Sequence, residues 1–212
     1  MSDSNPIRVM IVDDHLMVRD GLRVFLSVYD DIKVVAEADD GEQAVVLCRE
    51  VLPDVVLMDL LMPNMDGIEA TRRIRSEDES IQVIALTSFA EQELVEKAFR
   101  SGAISYLMKD VHSDKLAETI REAKRGRSTI DSAAAQALVA STSEETTKSE
   151  VLTPREREIL VMLTEGKTNK RIANQLSLSE GTVRFHVSNI LSKMGVNNRT
   201  EAVSLALQQG LI

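Results

Sequence analysis

Residues 54–67 read DVVLMDLLMPNMDG. Val55, Val56, Leu57 and Met58 are four consecutive apolar residues, which suits a strand buried on both faces, as in a parallel sheet. Asp59 follows them directly. A charged group at the edge of such a core is costly unless it is paired or bound to a metal, so Asp59 should have both company and a purpose.

Working outward, strand-like and helix-like segments alternate. IRVMIV (7–12), KVVAE (33–37), DVVLM (54–58), IQVIAL (81–86) and ISYLM (104–108) read as strands. Between and after them stand HLMVRDGLRVFLSV, where Leu16, Leu22 and Leu26 suggest a packed helix face, then EQAVVLCREV, GIEATRRIR, EQELVEKAFRSG and SDKLAETIREAKRG. Five βα units predict an α/β domain with a doubly wound parallel sheet over residues 1–127. In such a fold the groups at the carboxyl ends of the strands converge at the topological switch point.

Those ends carry Asp13 and Asp14, then Asp59, then Thr87 and Ser88, with Lys109 after the last strand. Acidic residues often follow strands merely as turn residues, but this combination is hard to assemble by chance. Clustered carboxylates repel, and one would ordinarily take up a proton. A divalent cation removes the repulsion, and all-oxygen ligands suit Mg²⁺, with Mn²⁺ as a possible substitute. That arrangement leaves Asp59 as a nucleophile for a phosphoryl group, with Lys109 and Thr87 able to hold phosphate oxygens.

The stretches IVDDH, VVLMDLLMPNMDG, ALTS and SYLMKD, in that order, resemble the receiver domain of two-component response regulators. The resemblance implies a flavodoxin-like receiver, with Asp59 as phosphoacceptor and Asp14 a direct Mg²⁺ ligand. It gives Asp13 a role through water and adds the Leu61 carbonyl as a ligand. Thr87, with Ser88 beside it, would be the switch hydroxyl, Tyr106 the aromatic that moves with it, and Lys109 the phosphate-pairing lysine. A sensor histidine kinase would be the phosphoryl donor. Two details depart from the common pattern. Asp110 stands where many receivers have proline, and Leu61 and Phe89 place apolar side chains beside the path of hydrolytic water. Slow self-dephosphorylation is therefore expected, and no other enzyme activity. A phosphohydrolase built on an aspartyl-phosphate would want an acid two residues after the nucleophile, where Leu61 stands.

Residues 128–150 change character. SAAAQALV can form a short helix, while STSEETTKSE is a polar linker. Beyond it the charge balance shifts. Residues 151–212 carry eight Lys and Arg against five Asp and Glu, whereas residues 1–150 carry 17 against 29. An acidic front and a mildly basic back suggest different partners.

Thr153, Pro154 and Glu156 form a helix start with a capping box, and Gly166 ends that helix. Thr168 caps NKRIANQL, and after Ser177-Leu178-Ser179 comes EGTVRFHVSNILSKM. Two helices joined by so short a turn make a helix-turn-helix. A helical wheel places Val183, Val187, Ile190, Leu191 and Met194 inward. It places Gly181, Arg184, Phe185, Ser188, Asn189 and Ser192 outward. Residues 151–212 resemble the C-terminal domain of the NarL/FixJ regulators, also found in LuxR-type activators. The resemblance puts Arg184, Phe185 and Ser188 on base edges of double-stranded promoter DNA, with Asn189 also a DNA-binding residue. Phe185, unusual on a polar face, either touches a thymine methyl or packs on the receiver. It puts Thr168, Asn169, Lys170 and Thr182 on backbone phosphates. Ala202, Val203 and Ala206 in the last helix would join two copies into a phosphorylation-dependent homodimer.

The single cysteine, Cys48, excludes an internal disulfide and reads as a buried helix residue. The apolar runs are too short for a membrane span, and MSDSNPIRV lacks the pattern of a secretion signal. A cytoplasmic protein without direct membrane binding is expected.

Overall fold

A computed structural model describes residues 5–88, 92–130, 152–176, 178 and 180–209. The chain divides into two compact units, residues 1–144 and 145–212. The expected short helix at SAAAQALV and the rest of the polar linker lie outside the described residues, as does Phe89.

The first unit alternates β1 (Ile7–Val12), α1 (Leu16–Leu26), β2 (Ile32–Ala38), α2 (Gly41–Val51) and β3 (Val55–Asp59). It continues with α3 (Gly67–Glu77), β4 (Gln82–Thr87), α4 (Gln92–Arg100), β5 (Ser105–Met108) and α5 (Ser113–Lys124). The strands form one parallel sheet in the order β2-β1-β3-β4-β5. This is the doubly wound order, with its switch point between β1 and β3.

Alternation along the buried strands feeds two cores. Met10, Val12, Val56 and Met58 join Ala44, Val45, Cys48, Ala70 and Ile74 from α2 and α3. Val9, Ile11, Val55 and Leu57 join Leu26 of α1 and Leu116, Ala117 and Ile120 of α5. Burial pushes the Cys48 thiol up to about 12, as expected of an inert core sulfhydryl. Leu16 departs from the expected packed face, being 59% exposed. Six residues turn a helix through roughly 240°, so Leu16 cannot share the face of Leu22 and Leu26.

Both edges of the sheet are irregular. The β1–β2 pairing moves from Val9↔Val34 to Met10↔Ala36, leaving Val35 as an extra residue in β2. At the other edge the chain leaving α5 returns beside β5. Ile130 bridges Tyr106 in parallel, Tyr106 N–H donates to the Thr129 carbonyl (3.4 Å), and Thr129 N–H donates to Ser105 Oγ (2.9 Å).

The second unit has α6 (Pro154–Thr164), α7 (Asn169–Leu176), α8 (Glu180–Met194) and α9 (Arg199–Gln208). The capping box forms as expected: Glu156 N–H donates to Thr153 Oγ1 and Thr153 N–H to Glu156 Oε2. Gly166, at φ +74°, supplies the left-handed turn that stops α6. Ile159, Leu160, Leu163, Ile172, Val183, Ile190 and Ala206 make the shared core.

Candidate functional sites

The ends of the strands in the first unit bring together what the sequence placed there. Asp59 is the last residue of β3 and is 4% exposed. Asp13, just past β1, is also buried. Lys109 reaches from the far side of the sheet. Its Nζ lies 2.6 Å from Asp13 Oδ2 and donates to Asp59 Oδ2 at 2.7 Å. The position of Lys109 is fixed by the backbone, because its N–H donates to the Thr87 carbonyl at the end of β4 (2.8 Å). The Lys109–Asp110 bond is trans.

The other Asp59 oxygen, Oδ1, accepts the Leu61 N–H at 3.2 Å. Behind it, Gly67 opens α3 against the strand, and its N–H donates to the Leu60 carbonyl. A Cβ on Gly67 would lie 2.0 Å from the Asp59 carbonyl oxygen, so only glycine permits this approach. Asp66 caps the same helix by accepting the Glu69 N–H.

The electrostatics follow from the crowding. Burial, helped by the neighbouring Asp13 charge, raises Asp59 above the usual carboxylate range, although Lys109 pulls the other way. Burial disfavours the Lys109 ammonium, but Asp59 and Asp13 outweigh it and hold its pKa above the ordinary value. Asp13, Asp14 and Asp59 together face one lysine, leaving a surplus of negative charge that a divalent cation would neutralise. One ligand atom from each of Asp13, Asp14, His15 and Asp59 lies within 4.8 Å of the others. Asp14 Oδ1 is buried without a hydrogen bond. An orphaned carboxylate oxygen in a hard-oxygen cluster fits Mg²⁺ or Mn²⁺.

Thr87 is fully buried and Ser88 is exposed, while Leu61 is half-buried. Tyr106, the aromatic expected to move with Thr87, lies in the interior. Its side chain is fully buried, with its ring centroid 6.5 Å from that of Phe99.

The second unit holds the other candidate surface. Arg184 and Ser188 of α8 are exposed, as are Thr168 and Lys170, while Phe185 and Asn169 are half-buried. Thr168 Oγ1 accepts the Arg171 N–H at 3.4 Å, the expected cap. Thr182 and Asn189 are buried, contrary to their expected place on the DNA-facing side. The buried stripe of α8 is Thr182, Val183, His186, Asn189 and Ile190, turned by roughly 80° from the wheel. The wheel assumed that polar side chains face outward. Buried polar groups are tolerated when partnered, and Thr182, His186 and Asn189 all interact with other groups.

Burial takes two of the three expected dimerisation residues, Ala202 and Ala206, off the surface, while Val203 stays half-buried. Ala202 and Ala206 are fully buried, Ala206 within the helical core, and Val203 packs on that core. They form the inner face of an amphipathic helix, not a free surface. The sequence reading also passed over Arg199, whose guanidinium donates to the Leu163 (3.3 Å) and Lys167 carbonyls and so closes the end of α6.

Residues 9–121 match the family described as "Response regulator receiver domain", and residues 150–206 match "Bacterial regulatory proteins, luxR family". The chain belongs to the response regulators with a LuxR-type DNA-binding domain. It is 43% identical over 209 residues to the transcriptional regulatory protein LiaR of Bacillus subtilis, covering 97% of this chain and 99% of that one. It is 41% identical over 206 residues to the response regulator VraR of Staphylococcus aureus, with the same coverage. Among solved structures, the response regulator ChrA of a heme-sensing two-component system is 39% identical, at a TM-score of 0.56 over 99% of this chain and 100% of that one. The protein is thus a two-component response regulator that controls transcription through DNA.

Proposed function

We propose that Asp59 is the phosphoacceptor, taking a phosphoryl group from a phosphohistidine of a sensor histidine kinase. The observation that carries this reading is a buried carboxylate at the end of β3, held 2.7 Å from the Lys109 ammonium beside Asp13 and the unsatisfied Asp14. An Asp59 carboxylate oxygen attacks phosphorus as the bond to the imidazole breaks. Asp13, Asp14, Asp59 and the Leu61 carbonyl would hold Mg²⁺, which would supply charge neutralisation for the phosphoryl oxygens. Lys109 stays paired with the product phosphate as a point charge, and Thr87 donates a hydrogen bond to it.

The added charge of about −1.5 to −2 acts on Thr87 at the end of β4. This biases the protein towards a homodimer whose α8 helices read two half-sites. With Ala202, Val203 and Ala206 turned inward, another surface must join the copies. Among the described residues no helix is long and apolar enough to cross a membrane, and the proposed setting is the cytoplasm. Phosphate loss is slow, and the protein turns over no other substrate.

The test is intact-mass measurement after incubation with a small phosphodonor and Mg²⁺. A single phosphoryl adduct is expected, absent with EDTA and in Asp59→Ala. An adduct of equal yield in Asp59→Ala would refute the assignment.

A further inference from the structure

His15 follows Asp13 and Asp14, just past β1, and stands at the mouth of the site, its side chain 60% exposed. Its Nδ1 lies 2.7 Å from Asp14 Oδ1 and 3.3 Å from Asp13 Oδ1. Its own N–H donates to Asp13 Oδ1 at 2.9 Å, which ties the residue to the carboxylate it faces. Despite the short approach of Nδ1, Asp14 Oδ1 accepts no hydrogen bond. The two atoms stand at ion-pair distance without hydrogen-bond geometry, and the imidazole belongs to a group of four side chains whose ligand atoms could meet on one ion. Adjacent ligands at ordinary bond lengths are roughly 3.0–3.4 Å apart around Mg²⁺ or Zn²⁺; the 3.3 Å separation from Asp13 lies in that range and the 2.7 Å approach to Asp14 is shorter.

We propose that His15 Nδ1 is a further protein ligand of the cation site, and that it opens this site to a borderline divalent transition ion such as Zn²⁺. The inference rests on the reading that Asp13, Asp14 and Asp59 hold a cation. Carboxylates alone favour hard ions, whereas imidazole suits zinc and its neighbours. One imidazole beside three carboxylates gives a mixed N/O set of the kind zinc accepts. Mg²⁺ gains little from nitrogen, so His15 sets which metals compete for the site more than whether Mg²⁺ enters.

The experiment is calorimetric titration of the full chain with Zn²⁺ and, separately, with Mg²⁺, in the wild type, His15→Ala and Asp14→Asn. Circular dichroism would confirm that each variant is folded. His15→Ala should weaken Zn²⁺ by at least about tenfold, a usual scale for disturbing a metal shell, and change Mg²⁺ by less than about threefold. The His15 ring resonances should shift on Zn²⁺ addition to the wild type. Equal Zn²⁺ affinity in the wild type and His15→Ala overturns the proposal, as does Zn²⁺ binding unaffected by Asp14→Asn, which would place the ion elsewhere. If the wild type binds neither ion, the cation site itself is refuted. Mg²⁺ binding together with Zn²⁺ affinity unchanged in His15→Ala refutes the role of His15 alone.

Discussion

Both units bury carboxylate against a lysine, one acid in the helical unit and two in the α/β unit, and the two arrangements are used differently. In the helical unit Glu156 is 1% exposed, accepts the Thr153 N–H, and pairs with Lys193 Nζ at 2.9 Å. One acid meets one base, and the capping-box N–H of Thr153 donates to the same oxygen, Oε2. In the α/β unit Asp59 shares Lys109 with Asp13, next to an Asp14 oxygen with no hydrogen bond. A buried charge that is fully matched belongs to the architecture. One left in surplus is a site awaiting a partner.

The largest effect should come from the support beneath the surplus. Gly67→Ala drives a Cβ into the Asp59 carbonyl and should destabilise the α/β unit by about 3 kcal/mol, lowering its thermal transition and leaving that of the helical unit in place. Next, Glu156→Gln removes the charge matched to Lys193 and should cost the helical unit about 2 kcal/mol, read as a lowered denaturation midpoint. Third, Arg184→Ala lies outside the helical core and should leave stability alone. Its loss should weaken specific DNA binding by about 2 kcal/mol, roughly 30-fold, relax base preference at one position, and flatten the salt dependence slightly.

The smallest and most diagnostic test is Asp59→Asn, where the sign should reverse. Burial raises Asp59 above its unfolded value, so the folded unit favours the neutral acid. That preference costs nothing below the unfolded pKa, and the penalty grows as pH rises through the raised one. Asp59→Asn should therefore stabilise the α/β unit at neutral pH, with the gain vanishing in acid. Thermal melts across that range, with loss of stability at pH 7 as the contrary result, would separate the two kinds of buried carboxylate.

The α/β unit was legible because strand ends are dictated by topology. Once IRVMIV and VVLM are neighbouring parallel strands, Asp13 and Asp59 must meet, whatever their side chains do. Lys109 is carried to them by the same rule. The helical unit was less legible. Its helix limits and caps could be read, and α8 spans Glu180–Met194 as expected. Which face of α8 is buried could not, because Thr182, His186 and Asn189 are polar residues that find partners inside. Ala202 and Ala206 misled for the opposite reason, since a small apolar face suits a core and an interface equally. His15 was written in full view within IVDDH, and only the 2.7 Å approach of Nδ1 to Asp14 gave it meaning.

The irregular edges of the sheet bear on how this molecule meets its own copies. An open parallel sheet ends in two rows of unpaired amides and carbonyls, which invite another strand to add on. Here the extra residue at Val35 breaks the spacing along β2, and Thr129 with Ile130 already occupies the side of β5. Neither margin offers an incoming strand an even row of hydrogen bonds. Self-association by sheet growth, which would be open-ended and indifferent to any signal, is discouraged at both ends. Any pairing of copies would have to use other surfaces than these margins.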